Sequence, residues 1–329
     1  MSPRLGRNVA RVFVTMAAGG FLFAAAAQAQ DAYPNKPVHI VVGFSAGSST
    51  DVATRLIAEE MSQSLGQRVV VENRPGAASN VATEAVANAP ADGYMLLMGT
   101  VANTINTALG RKVSFAFPGD FEPIALVGAV PMIVTVHPSV SAQTIGELID
   151  LAKEEPDGIV YGSAGVGTAP HLSAELFASS IGASMVHVPY NGSGQAAQDL
   201  VAGRIDLLFG PASSVIAQIR EGNLRGLATT LSKRSSVAPD LPTVAEAGIE
   251  GFDTSVWFGL MAPDGTPDAV VQKLADAVNS ALQADSVKKA FTTAGIEPLG
   301  GSQQAFVTYI DREIANWRKV VEEAEISVN

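Results

Sequence analysis

Val38-His39-Ile40-Val41-Val42-Gly43-Phe44-Ser45-Ala46-Gly47-Ser48-Ser49-Thr50-Asp51-Val52 is the stretch on which the fold turns. Four of its first five residues are apolar and β-branched, with His39 the exception, and the run has the length and composition of a buried strand. A Gly/Ser turn follows. Val52, Leu56, Ile57, Met61 and Leu65 then recur with helical spacing until Gly66, a residue suited to a helix C-terminus. The same order returns further on, with a strand over residues 159–163, the turn Ser163-Ala164-Gly165-Val166-Gly167-Thr168-Ala169, and a helix opened by Pro170. Strand patterns also fall at residues 68–72, 94–98, 185–189 and 205–209, and helical patterns at 81–88, 267–283 and 303–324. This alternation predicts an α/β fold of parallel sheets covered by helices. Residues 124–136 form one long apolar run containing Gly128 and Pro131, which suits a strand crossing between two lobes, and residues 256–261 suit a strand crossing back.

At 329 residues and 47% hydrophobic, the chain has the length of about two domains and enough apolar residues for a sizeable core. Arg4, Arg7 and Arg11 precede an uncharged apolar run over residues 12–27, and Ala27-Gln28-Ala29 has the A-x-A form of a cleavage site. The run is shorter than the roughly 20 residues of a membrane span. It predicts a secretion signal over residues 1–29, a mature chain starting near Gln30 or Asp31, and a periplasmic location. The net charge of −11 becomes −14 once those three arginines are gone, which argues against nucleic acid and anionic membranes as partners. With no cysteine there is no disulfide framework, thiolate metal site or lipid-anchored thiol. The four histidines lack metal-ligand spacing, so no metal and no cofactor is expected.

The two turns carry the chemistry. Ser48-x-x-Asp51 has the form of a capping box with Asp in place of Glu. A strand-to-helix turn leaves backbone N–H groups unpaired at the positive end of the helix dipole, which suits an anion. Each loop alone reads equally well as a capped helix after a tight turn. Taken as a pair facing across a cleft, they suit the two ends of a small dianion. His171 is compatible with a ligand hydrogen bond or with an ordinary first-turn position. Arg55 is expected to pair with Glu59, and Trp257 and Phe258 fit core packing or a pocket wall.

A hydrolase reading has one motif in its favour. Gly43-Phe44-Ser45-Ala46-Gly47 matches the G-x-S-x-G nucleophile elbow in the right strand-to-helix context. The chain order Ser, acid, His that such enzymes use needs a late histidine, and the last here is His187. No room precedes the first strand for an oxyanion loop, so Ser45 is not expected to be a nucleophile and the chain is not expected to be an enzyme.

Several strings together resemble the substrate-binding proteins of tripartite tricarboxylate transporters. They are Tyr33-Pro34-Asn35-Lys36-Pro37, Thr50-Asp51-Val52-Ala53-Thr54-Arg55, Val69-Val70-Val71-Glu72-Asn73-Arg74-Pro75-Gly76-Ala77 and Ala91-Asp92-Gly93-Tyr94. Residues 165–172, Val188-Pro189-Tyr190-Asn191-Gly192, Leu241-Pro242-Thr243-Val244-Ala245-Glu246-Ala247-Gly248 and Trp257-Phe258-Gly259-Leu260 extend the resemblance over residues 33–326. It implies a two-lobed periplasmic-binding-protein fold, type II-like. Lobe 1 would be residues 31–128 plus 258–329, and lobe 2 residues 129–257. It also implies a small organic acid bound between the lobes, transient docking on membrane permease subunits, and a monomer. Carried over by position, the ligand contacts in lobe 1 would be Phe44, Ser45, Gly47, Ser48, Thr50, Asp51, Thr100 and Asn103. Those in lobe 2 would be Ser163, Gly165, Gly167, Thr168, His171, Tyr190 and Asp206. A sensing rather than a transporting receptor would share the same site. The sequence departs from the family at Gly47-Ser48, where Gly-Gly is usual, and at Ala77-Ala78-Ser79-Asn80, which is less glycine-rich.

Overall fold

The computed structural model describes residues 33–323. The secretion signal expected over residues 1–29 lies outside them. The chain begins with β1 (Val38–Val42), α1 (Ser49–Leu65), β2 (Val69–Asn73), α2 (Asn80–Ala87), β3 (Met95–Thr100) and α3 (Val101–Ala108). The strand β4 (Phe121–Val136) then leads to α4 (Ile145–Glu154), β5 (Val160–Ser163), α5 (Ala169–Ile181), β6 (Val186–Pro189) and α6 (Ser193–Val201). After these come β7 (Leu207–Pro211), α7 (Ala212–Arg220), β8 (Arg225–Thr229), β9 (Ser255–Pro263), α8 (Asp268–Gln283), α9 (Asp285–Ala294), β10 (Glu297–Pro298) and α10 (Gln303–Glu323).

Two sheets share β4. Its first part pairs with β9 and β10, and its second part with β7 and β8. In the first sheet β1 lies between β2 and β3, all parallel, and β9 joins β3 antiparallel. In the second, β5 pairs parallel with β6 and β7. The parallel sheets expected from the alternation are therefore mixed: the crossing strands β4 and β9 run against their neighbours. Pro123 and Gly128 fall at register shifts of the β4–β9 ladder, where a missing N–H or a side-chain-free residue is tolerated. At Gly128 a Cβ would lie 2.7 Å from the Glu297 carbonyl, so the close approach of β10 needs glycine.

Helix termini follow from local chemistry. Gly66 and Gly182 close α1 and α5 in the left-handed conformation. Thr100 and Asn103 form a reciprocal capping box that starts α3, a helix the apolar periodicity does not reveal. Apolar side chains of α1 and α8 (Ile57, Met61, Leu274, Val278) fill one side of the first sheet, and those of α10 (Phe306, Ile310, Trp317) the other. Trp257 and Phe258 are fully buried, so both are core and neither lines the cleft. Phe306 lies so near Gly259 that a Cβ there would sit 2.2 Å from the ring. In the second lobe Phe177, Phe209 and Tyr161 form the centre of a separate core.

Candidate functional site

The C-terminal ends of β1 and β3 face those of β5 and β7 across one cavity of about 520 Å³. The first turns of α1, α3, α5, α6 and α7 all border it, through Ser49, Val101, Ala169, Ser193 and Ser213. Of the residues expected from sequence, Phe44, Gly47, Ser48, Gly167 and Thr168 line this cavity. None of the described residues lining it carries a formal charge.

Loop 1 is built by Asp51. One carboxylate oxygen accepts the Gly47 N–H at 2.9 Å, and the other accepts Arg55 Nε at 3.0 Å and Asn73 Nδ2 at 2.8 Å. Burial pushes the Asp51 carboxyl up, but these donors outweigh it and hold the group below the usual carboxylate range. The expected capping box is therefore altered. Ser48 Oγ accepts the Asp51 N–H at 3.3 Å, and the return bond goes to Gly47 instead of Ser48. Arg55 pairs back to Asp51, not forward to Glu59. Asp51 is 2% exposed and does not line the cavity, and its carboxylate holds the loop through Gly47, Arg55 and Asn73. Ser48 has φ −66°, which needs no glycine, whereas Gly47 at φ 82° does. The departure from Gly-Gly at position 48 thus leaves the loop unstrained. With Gly47 and Asp51 N–H consumed internally, the N–H groups of Ser49 and Thr50 remain without a partner among the described residues.

Loop 2 repeats the design with different residues. Gly165 N–H goes to Ser163 Oγ at 3.0 Å and Thr168 Oγ1 donates to the Gly165 carbonyl at 2.7 Å. Gly167, at φ 75°, donates its N–H to His171 Nδ1 at 3.3 Å. His171 is 5% exposed and its ring lies 4.1 Å from that of His187. Burial, then the neighbouring His187, lowers the His171 pKa to about 4, so the ring is neutral at neutral pH. Since Nδ1 accepts, the proton sits on Nε2, facing Glu175 at 3.8 Å. The His171 side chain braces loop 2 through Gly167 and does not line the cavity. Its backbone N–H and that of Ala169 have no partner among the described residues in the first turn of α5.

The other expected contacts separate from the cavity. Thr100 and Asn103 are spent on the α3 cap, and Asn103 Nδ2 also donates to Thr83. Ser163 is fully buried and hydrogen-bonded to His187 Nε2 at 2.7 Å. The Tyr190 hydroxyl donates to Asp199 at 3.0 Å, and Gly165 packs against the Tyr190 carbonyl. Asp206 accepts the Val160 N–H at 2.9 Å at the start of β7, the opposite end from the cleft. A strand advances about 3.3 Å per residue, which puts Asp206 several residues' length too far away. Ser45 is exposed, and Thr50 is buried with its carbonyl accepting the Thr54 hydroxyl. Sequence reading missed Ser193-Gly194 and Ser213-Ser214. Both follow a strand end and open a helix, so the rule applied to loops 1 and 2 finds them.

One border of the cleft is strained. Ala77, Ala78 and Ser79 have φ of 46°, 52° and 74° in succession, where residues bearing Cβ pay roughly 1–2 kcal/mol each. Ala78 lines the cavity. Ser79 presses on Gly43, where a Cβ would come within 2.7 Å of the Ser79 Cα, so Gly43 owes its identity to packing and not to a nucleophile elbow. Replacing Ala78 by Gly relieves this strain, partly offset by the freer unfolded chain. It is expected to stabilise the protein by about 0.5–1 kcal/mol. The check is the urea midpoint, and a lowered midpoint would show that the turn is not strained.

Two mixed sheets joined by crossing strands, with helix N-termini from both halves around one cleft, define a two-lobed solute-binding protein. Residues 53–326 match the model of the tripartite tricarboxylate transporter family receptor. The chain belongs to that family, whose members are periplasmic receptors. It is 36% identical over 301 residues to protein BugT of Bordetella pertussis, covering 91% of this chain and 92% of BugT. Among solved structures, Rpa4515 of R. palustris, determined with adipate, superposes with a TM-score of 0.77 at 36% identity, covering 90% of this chain and 99% of that one. MatC (Rpa3494) from Rhodopseudomonas palustris, with bound malate, gives 0.74 at 31% identity, covering 88% and 100%. No helix among the described residues is long and apolar enough to cross a membrane.

Proposed function

We propose that this chain is exported to the periplasm, captures a small organic carboxylate between its lobes as a monomer, and presents the closed form to the membrane subunits of a tripartite transporter. The observation that carries this reading is the convergence of helix N-termini from both lobes on one uncharged cavity. Such ends attract anions without a lysine or arginine. The adipate and malate held by the two structural relatives support the ligand class. The lobe boundaries proposed are residues 31–128 with 258–329, and 129–257. An acid touching both loops makes its full contacts only when the lobes close, so binding shifts the population toward the closed form.

Hydrolysis is not part of this reading. Ser45 does not have the left-handed backbone of a strained elbow, and no described histidine is hydrogen-bonded to it. The Ser163–His187 pair is hydrogen-bonded but Ser163 is sealed from the cleft.

The test is thermal unfolding of refolded, ligand-stripped protein with a panel of small carboxylates. A specific acid at 100 times its Kd adds about 2.7 kcal/mol. Thr168→Val removes the bond that pins loop 2 while keeping the side-chain volume. It is expected to weaken the best acid about tenfold, in line with one lost hydrogen bond, and to leave the fold intact by circular dichroism. Absence of any stabilising acid, or full affinity in the Thr168 variant, would count against the reading.

A further inference from the structure

Resting on the carboxylate reading, we propose that the preferred ligand is a mono- or dicarboxylate with an unfunctionalised apolar body, aliphatic or aromatic, in preference to hydroxylated acids and tricarboxylates. Two features of the cleft carry this. The first is charge. No lining residue is ionised, and Asp51 behind loop 1 is already matched by Arg55. The positive potential comes from the N-termini of α1, α3, α5, α6 and α7. Each is equivalent to about half an elementary charge, so the five together amount to about two and a half, enough for a dianion and short of a trianion.

The second is the wall between those ends. Phe44, Val52, Val101, Ile105 and Val256 present only hydrocarbon to the cavity. A ligand methylene placed against them gains about 0.8 kcal/mol, roughly fourfold in affinity. A ligand hydroxyl in the same place loses its hydrogen bonds to water and finds no partner, a loss of about tenfold or more. The serine hydroxyls of the site, on Ser48, Ser49, Ser193, Ser213 and Ser214, belong to the helix starts and so serve the carboxylate ends, while the two other polar side chains that line it are engaged within the protein, Asn106 Nδ2 with the Ala78 carbonyl and Asn80 and Thr168 Oγ1 with the Gly165 carbonyl.

The experiment is titration calorimetry of the ligand-stripped protein with four sets of acids. These are the straight-chain dicarboxylates from succinate to pimelate, adipate against its tetrahydroxy counterpart galactarate, tricarballylate, and benzoate. The expected result is a rise of roughly threefold to fourfold per methylene up to a length limit, with galactarate and tricarballylate each at least tenfold weaker than adipate. Ile105→Thr, which sets a hydroxyl in the wall, is expected to weaken adipate and narrow the gap to galactarate. The ligand series on the unmutated protein stands whether or not that variant folds. Equal or tighter binding of galactarate or tricarballylate overturns this inference and leaves the carboxylate reading in place. Failure of every acid to bind overturns the carboxylate reading, and this inference with it.

Discussion

Glu313→Gln is expected to be more stable than the parent protein at pH 8 by about 3 kcal/mol, and to differ from it by about 1 kcal/mol or less near pH 5. Glu313 lies on α10, 3% exposed, where the indole N–H groups of Trp257 and Trp317 both donate to Oε2 at 3.0 Å. Burial raises its pKa to about 7. The two indoles act in the opposite sense, Asp253 adds to the rise, and Arg312 subtracts from it. The unfolded chain has its carboxyl near 4.5. Between those values the folded protein keeps a proton that the unfolded chain has lost. Stability from this group is therefore complete below pH 4.5 and is lost as pH rises through 7. Glutamine mimics the protonated acid, still accepts both indoles, and does not titrate. His171 has the opposite slope, since its lowered pKa makes stability fall as pH drops from 6.5 toward 4. The two contributions offset each other in the parent protein, so the quantity to follow is the difference between variant and parent in urea unfolding from pH 5 to pH 8. A difference that does not change with pH would refute the assignment.

Asp51→Ala is expected to cost about 3 kcal/mol of stability and to abolish tight ligand binding. The substitution removes the acceptor of Gly47, Arg55 and Asn73 at once. Hydrogen bonds to a charged group contribute about 1.5–3 kcal/mol each, and the exposed side of Arg55 recovers water, so the loss is smaller than the sum. Without the carboxylate, Gly47 N–H has no partner and loop 1 no longer holds Ser49 and Thr50 N–H toward the cleft. Asp51→Asn retains an acceptor for Gly47 but loses the charge that Arg55 needs, so an intermediate effect is expected. Chemical denaturation and calorimetry with the best acid check both. An alanine variant that binds normally would mean that the loop does not depend on this carboxylate.

These two residues also mark how far the sequence could be read. The strand-turn-helix order at residues 38–66 and 159–181, and the long β4, follow from period and composition, which act locally. The two anion loops were legible only as a pair, because a Gly/Ser turn between a strand and a helix appears in each half of the chain. Which buried polar atom meets a ligand and which meets its neighbour was not legible. Asp51, Asn103, Ser163 and His171 all read as contacts, yet each is satisfied inside its own lobe. Asp206 sits beside the right strand but at its wrong end, a distinction that depends on strand direction in the folded sheet. Glu313 left no trace at all. In a charged, amphipathic helix it looks like a surface acid, and its burial depends on Trp257, 56 residues away, arriving from β9. The α7 start was missed for a lesser reason: a nine-residue helix gives too few turns for its period to show.

The ladder between β4 and β9 has a further meaning for how such receptors diversify. Pro131 is the Cα partner of Ser255. The chain therefore leaves for the second sheet and comes back at adjacent rungs, and everything between forms one uninterrupted insert. Recombination at just two points in the gene would exchange that insert whole, with its half of the cleft, while the other half stays as it was. A chimera that takes this insert from a relative is therefore expected to report which side of the cleft each acid depends on.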